Sequence, residues 1–133
     1  MARTRSITFA EARQRLRSAG AYLEVAELVL ADDRSEMPGV AAGLSVLAGI
    51  AASDAICAHR LGKIHRGESH REARDLLRGA TADGKRLSDT LAKLLDIKDE
   101  AHYGLIVVPP RKARDAVRWA KILYDRAQEE LQR

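Results

Sequence analysis

Residues 38–62 of this chain, PGVAAGLSVLAGIAASDAICAHRLG, are apolar on nearly every side of a helix, and no other long stretch is. Alanine favours helix, and the segment lacks the two-residue alternation of a half-buried strand, so it reads as α-helical. Ala41, Ser45, Gly49, Ser53 and Cys57 recur every four residues and form one ridge of small side chains that lets another helix approach closely. Val40, Leu44, Leu47, Ile50 and Ile56 put bulk on the neighbouring sides, so this helix is expected at the centre of a bundle. Its length suits a membrane span, but Asp54 interrupts it and its residues are mostly Ala, Gly and Ser, which favours a buried helix in a soluble protein. Asp54 needs a partner: either an arginine or backbone donor meets it at a helix crossing, or it faces a wet cleft.

The other segments look arranged to cover that helix. Residues 1–7 carry Arg3 and Arg5 and are expected to fray, after which Thr8 and Glu11 form a capping box. Phe9, Ala12, Leu16, Ala19, Leu23, Ala26 and Leu30 then follow steps of three and four, a packing seam on a first long helix ending near Ala31. Gly62 should stop the central helix, and residues 63–68 form a basic connection. Ser69 and Glu72 form a second capping box that opens a short helix to Gly79. A third long helix over 85–104 carries Leu87, Leu91, Leu94, Lys98 and Ala101 on one stripe, with Lys98 misplaced among apolar residues and Gly104 as the stop. Residues 105–108 read as an extended connector closed by Pro109 and Pro110. The last helix presents Ala113, Ala116, Ala120, Leu123, Ala127 and Leu131, widened by Val117, Trp119 and Tyr124. The expected fold is all-α: one domain over 1–133, an antiparallel up-and-down bundle of four longer helices and one short one, with residues 1–7 flexible.

Composition narrows the function classes. With 32% charged and 46% hydrophobic residues the chain belongs with soluble globular proteins, and a net charge of +4 permits nucleic-acid contact without demanding it. The lone Cys57 lies in the apolar stretch, so a disulfide framework is excluded and a reducing, cytoplasmic setting is expected. His59, His65, His70 and His102 lack the spacing of a metal site, and no phosphate-binding loop or hydrolase elbow occurs, so neither metal nor cofactor is expected.

Three places carry candidate chemistry. Arg60, Lys63, His65, Arg66, His70, Arg71 and Arg74 gather positive charge around one helix end, either as a solvated surface set against the helix dipole or as a nucleic-acid-binding contact with phosphates. Aromatic residues for base stacking are missing there. Lys98, His102 and Tyr103 lie near another helix end and are the candidate catalytic residues for acid–base work; the alternative is a polar terminus in which Lys98 pairs with Asp54.

The small-residue helix, the segment GESHREARDLL, the ending KDEAHYG and the helix ARDAVRWAKIL together resemble the HEPN family of small helical bundles over residues 37–128. The resemblance implies a homodimer, a partner such as the nucleotidyltransferase of a toxin–antitoxin pair, and, in active members, metal-independent RNA cleavage by an arginine followed after four to six residues by a histidine. Here Lys98 replaces the arginine and three residues separate it from His102, so the segment is similar to the KxxAxY variant of members without that signature, with Lys98, Ala101 and Tyr103 on the matching positions. Arg60 and His65 show the literal spacing, but at the end of the central helix. The expected function is a non-catalytic binding module, a homodimer engaging a protein partner or RNA. The alternatives are a ribonuclease with a degenerate site, built from His102, Tyr103 and Lys98 with Arg60 and His65, and a structural adaptor without a nucleic-acid role.

Overall fold

The computed structural model describes residues 4–67, 69–103 and 107–132, and only the backbone at Asp99 and Tyr103. The chain folds as an all-α bundle. In order it forms β1 (Thr4–Ser6), α1 (Phe9–Leu30), α2 (Met37–Leu61), β2 (Lys63–His65), α3 (His70–Ala80), α4 (Gly84–Asp96), α5 (Lys98–Tyr103) and α6 (Pro110–Leu131). The four longer elements are α1, α2, the α4–α5 pair and α6, and α3 is the short one.

Helix α2 is the axis of the molecule. It packs most extensively against α1 and α6 and also touches α3, α4, α5 and β2. Its small ridge is buried throughout: Ala41, Ser45, Gly49, Ser53 and Cys57 all lie in the interior. At Gly49 the missing side chain leaves room for Leu94 of α4 and Leu123 of α6. By length and composition α2 is the one helix among the described residues able to cross a membrane, and 72% of its most apolar window is buried by the rest of the chain. Its mean hydropathy is accounted for by that burial.

The expected helix signals operate at most ends. Thr8 Oγ1 accepts from the Glu11 amide at 3.1 Å, and the Glu11 carboxylate accepts from the Thr8 amide at 3.0 Å, closing the box that starts α1. Ser69 Oγ accepts from the Glu72 amide at the start of α3, but the Glu72 carboxylate does not return a bond to the Ser69 amide, so the second box expected there is only half closed. Gly62 ends α2 with φ of 69°, in the left-handed region where a Cβ would be strained. Pro38 and Pro110 sit in the first turns of α2 and α6, where a missing amide proton costs nothing. The seam of α1 buries Ala12, Ala19, Leu23 and Ala26, while α6 buries Ala113, Ala116, Ala120, Leu123 and Ala127.

Three local expectations are corrected. Residues Thr4–Ser6 are not frayed: they pair antiparallel with Lys63–His65, in the register Thr4 with His65 and Ser6 with Lys63. The Ile7 amide continues the ladder to the Gly62 carbonyl at 3.0 Å, and Arg5 donates to Glu11 at 3.0 Å. The helix expected over 85–104 is two pieces, divided at Ile97, which caps α4 with φ of −99° and ψ of 0° and whose amide bonds back to the Leu94 carbonyl at 3.2 Å. Its buried side chain anchors the break, while its carbonyl accepts from Ala101 and starts α5. Helix α3 runs one residue past Gly79 and stops where Thr81 turns extended. Val108 is buried and Val107 exposed in the connector before α6; the expected stop at Gly104 lies outside the described residues.

Candidate functional site

Asp54 faces α1. Arg15 donates to its Oδ2 from both Nη2, at 2.9 Å, and Nε, at 3.2 Å. The arginine expected as one way to satisfy this carboxylate is present, and Lys98 is not the partner. Burial nonetheless pushes the Asp54 carboxyl above its ordinary value, against the opposing pull of Arg15 and the nearby His65. One turn further on, burial with the charge of Asp54 pushes the Cys57 thiol up to about 12, so this cysteine is a neutral, unreactive core side chain.

Beside Asp54 lies a cavity of ≈160 Å³ between α2, the β2–α3 loop, α3 and α4. His65 and His70 enter it from the basic connector and Lys98 from the first turn of α5, over a floor that includes Leu76, Leu91 and Leu95. Lys98 therefore does meet two members of the basic set. His102 does not join them. It lines a separate and wider groove of ≈580 Å³ with Val40, Gly43, Leu44, Leu47 and Val107, and its Nε2 lies 3.3 Å from the Gly43 carbonyl. A Cβ on Gly43 would come within 2.9 Å of the His102 ring, so the glycine permits this seat. Lys98 and His102 thus open into different cavities, and the Tyr103 side chain lies outside the described residues.

The remaining basic residues also divide. Arg60 turns away from His65 and bonds Glu130 at 3.0 Å, so the literal Arg-to-His spacing of residues 60–65 does not bring those two groups into one cavity. Lys63, Arg66 and Arg71 are exposed, Arg71 standing 4.0 Å from Asp75 across one helical turn.

The strongest polar cluster escaped the sequence reading. Glu130 on α6 is 1% exposed and gathers His59 Nδ1 at 3.0 Å, Arg60 Nε at 3.0 Å and Arg126 Nη1 at 3.0 Å, the last as an ion contact without hydrogen-bond alignment. Arg126 also donates to Asp83 at 2.9 Å, tying α6 to the α3–α4 turn. Burial raises the Glu130 carboxyl, but the hydrogen bond with His59, the close ion contact of Arg126 and the charge of Arg60 outweigh it and hold it below the usual glutamate value. The hydrogen bond from Arg126 holds Asp83 down to about 2. A signal existed: Glu130 follows Leu123 and Ala127 at steps of four and three, so it falls on the same stripe, as Lys98 does on its own. His59 is further fixed by the Phe9 ring at 5.9 Å, itself under the Arg13 guanidinium.

Chemically, the arrangement joins carboxylates to arginines at helix crossings, and its openings include a small cavity walled by Lys98, His65, His70 and Asp54 and a wider groove lined mainly by apolar side chains. Among the described residues no three His, Cys, Asp or Glu side chains gather in a metal-holding group. No protein-family model matches the chain, and no curated protein shows significant similarity to it.

Proposed function

We propose that this chain is a non-catalytic, HEPN-like helical binding module that acts as a homodimer through the α2 groove and in that state engages a protein partner, such as the nucleotidyltransferase of a toxin–antitoxin pair. The observation that carries this reading is the apolar face left open on the otherwise buried central helix. Val40 is 43% exposed, Leu47 37% and Val107 58%, and with the half-buried Leu44 they line the groove of ≈580 Å³. Residues 40, 44 and 47 follow steps of four and three, so they form one continuous strip that a second helix can cover. The separation of Lys98 from His102 supports binding over RNA cleavage, because a general acid and base must converge on one reacting group.

Sedimentation equilibrium at micromolar concentration tests it. The wild-type chain is expected to sediment as a dimer, and Leu47→Glu, which puts a charge on the strip, as a folded monomer. A monomeric wild type, or a Leu47→Glu variant that still dimerises, overturns the reading. The exposure of Lys63, Arg66 and Arg71 at the other end of α2 supports a second reading, an RNA backbone contact. That contact requires binding that weakens steeply with salt and weakens again in a Lys63→Gln, Arg66→Gln double variant.

A further inference from the structure

We infer that the cavity beside Asp54 is a binding site for a small organic carboxylate with an apolar body. Three observations converge on it. The first is an unpaired lysine beside two imidazoles: Lys98, His65 and His70 all line the cavity, and among the described residues Lys98 and His70 make no hydrogen bond or ion pair. Asp54 also opens on the cavity and feels the nearby His65, but its Oδ2 is held by Arg15 and it makes no ion pair with Lys98. The second is an orphaned polar atom. His65 Nε2 is closed off from solvent and has no hydrogen-bond partner, a state that costs free energy unless something fills it. The third is shape. The volume of ≈160 Å³ is close to the ~150 Å³ that encloses a benzene ring, and the floor of Leu76, Leu91 and Leu95 is apolar.

A ligand matched to these walls carries one negative charge at the end facing Lys98, His65 and His70. Its apolar body, about the size of a phenyl or branched aliphatic group, sits against the leucines. A bare phosphate would meet Lys98 and the two imidazoles and leave the floor wet. A neutral apolar molecule would fill the floor and leave Lys98 and His65 unmatched. The site is separate from the α2 groove and does not depend on dimerisation.

The test is a titration of the full chain followed by amide NMR, with sodium benzoate as the probe, and with benzyl alcohol and inorganic phosphate as its neutral and non-apolar counterparts. Benzoate is expected to give saturable shifts at Ser53, Asp54, His65, Ser69 and Lys98, and to bind at least about tenfold more tightly than either counterpart, the worth of one charge-assisted hydrogen bond. Lys98→Met, which removes the charge at a half-buried position without a hydrogen bond or ion pair and keeps the length of the side chain, is expected to weaken benzoate by about the same factor. Leu91→Ala, which strips the floor and leaves Lys98 and the two imidazoles, should weaken benzoate and not phosphate. The inference is overturned by an absence of saturable shifts with benzoate, by equal benzoate affinity in Lys98→Met, or by phosphate binding as tightly as benzoate.

Discussion

Replacing Glu130 by alanine tests whether the cluster that sequence reading missed holds the bundle together. The carboxylate is 1% exposed and takes charged or hydrogen-bonding partners from two helices: His59 and Arg60 on α2, and Arg126 one turn back on α6. Hydrogen bonds to charged groups contribute about 1.5–3 kcal/mol each, and removing one partner of a buried ion pair costs about 3–5 kcal/mol because the other is left unmatched. Two features reduce that cost here. Arg60 is a third exposed and can turn to water, and Arg126 keeps Asp83. The worked figure is therefore near the bottom of the range, about 3 kcal/mol, or roughly 10 °C in melting temperature for a domain of this size.

The pH dependence supplies a sharper check. Since the folded Glu130 carboxyl lies below its unfolded value, its contribution is full above the ordinary glutamate range and is lost as pH falls through the folded value. Urea denaturation followed by far-UV circular dichroism should show the full gap between wild type and Glu130→Gln at pH 7, and a gap that closes on acidification below pH ~4. A Glu130→Ala variant within about 1 kcal/mol of wild type at pH 7 would refute the reasoning, because the desolvation of the carboxylate would then cancel all that its partners return.

Other outcomes follow from the same packing. Gly49→Val drives a branched side chain into Leu94 and Leu123 and should destabilise by about 3 kcal/mol, read from denaturant midpoints; a neutral result would mean that the small ridge is loosely packed. Asp54 has a folded carboxyl raised by burial, so its ionised form is penalised at neutral pH and relieved toward the ordinary aspartate range. Asp54→Asn should thus gain stability relative to wild type at pH 7, an advantage that shrinks on acidification, as paired thermal melts would show. Cys57, 2% exposed and with its thiol pushed up to about 12, should react with a bulky maleimide far more slowly in the native chain than in the urea-unfolded one. Fast labelling of the native chain would contradict its burial.

How much was legible beforehand differs between fold and site for a physical reason. Helix position and ends are written in local residue patterns: the apolar run of 38–62, the Thr8 and Ser69 caps, Pro38, Gly62 and Pro110 act within a turn or two of where they stand. The break at Ile97 left no trace, since the stripe from Leu87 to Ala101 continues through both pieces and only tertiary packing of Ile97 interrupts it. The pairing of Thr4–Ser6 with Lys63–His65 was equally hidden, because two three-residue polar strands show no periodicity and meet across more than fifty positions.

For the site, sequence determined which groups were out of place: Asp54 in an apolar helix, Lys98 on an apolar stripe, a run of cations after Gly62. It could not determine who meets whom. Asp54 went to Arg15, thirty-nine residues away, and Arg60 to Glu130, seventy away, because a charge buried at a crossing is satisfied by whatever donor the neighbouring helix presents at that height. Lys98 and His102 share one short helix yet open into different cavities, a division set by how α5 lies along α2. The central helix, its small ridge and the bundle it organises were properties of local pattern; the pairing of its charges and the two openings beside it belong to the packing of helices distant in the chain.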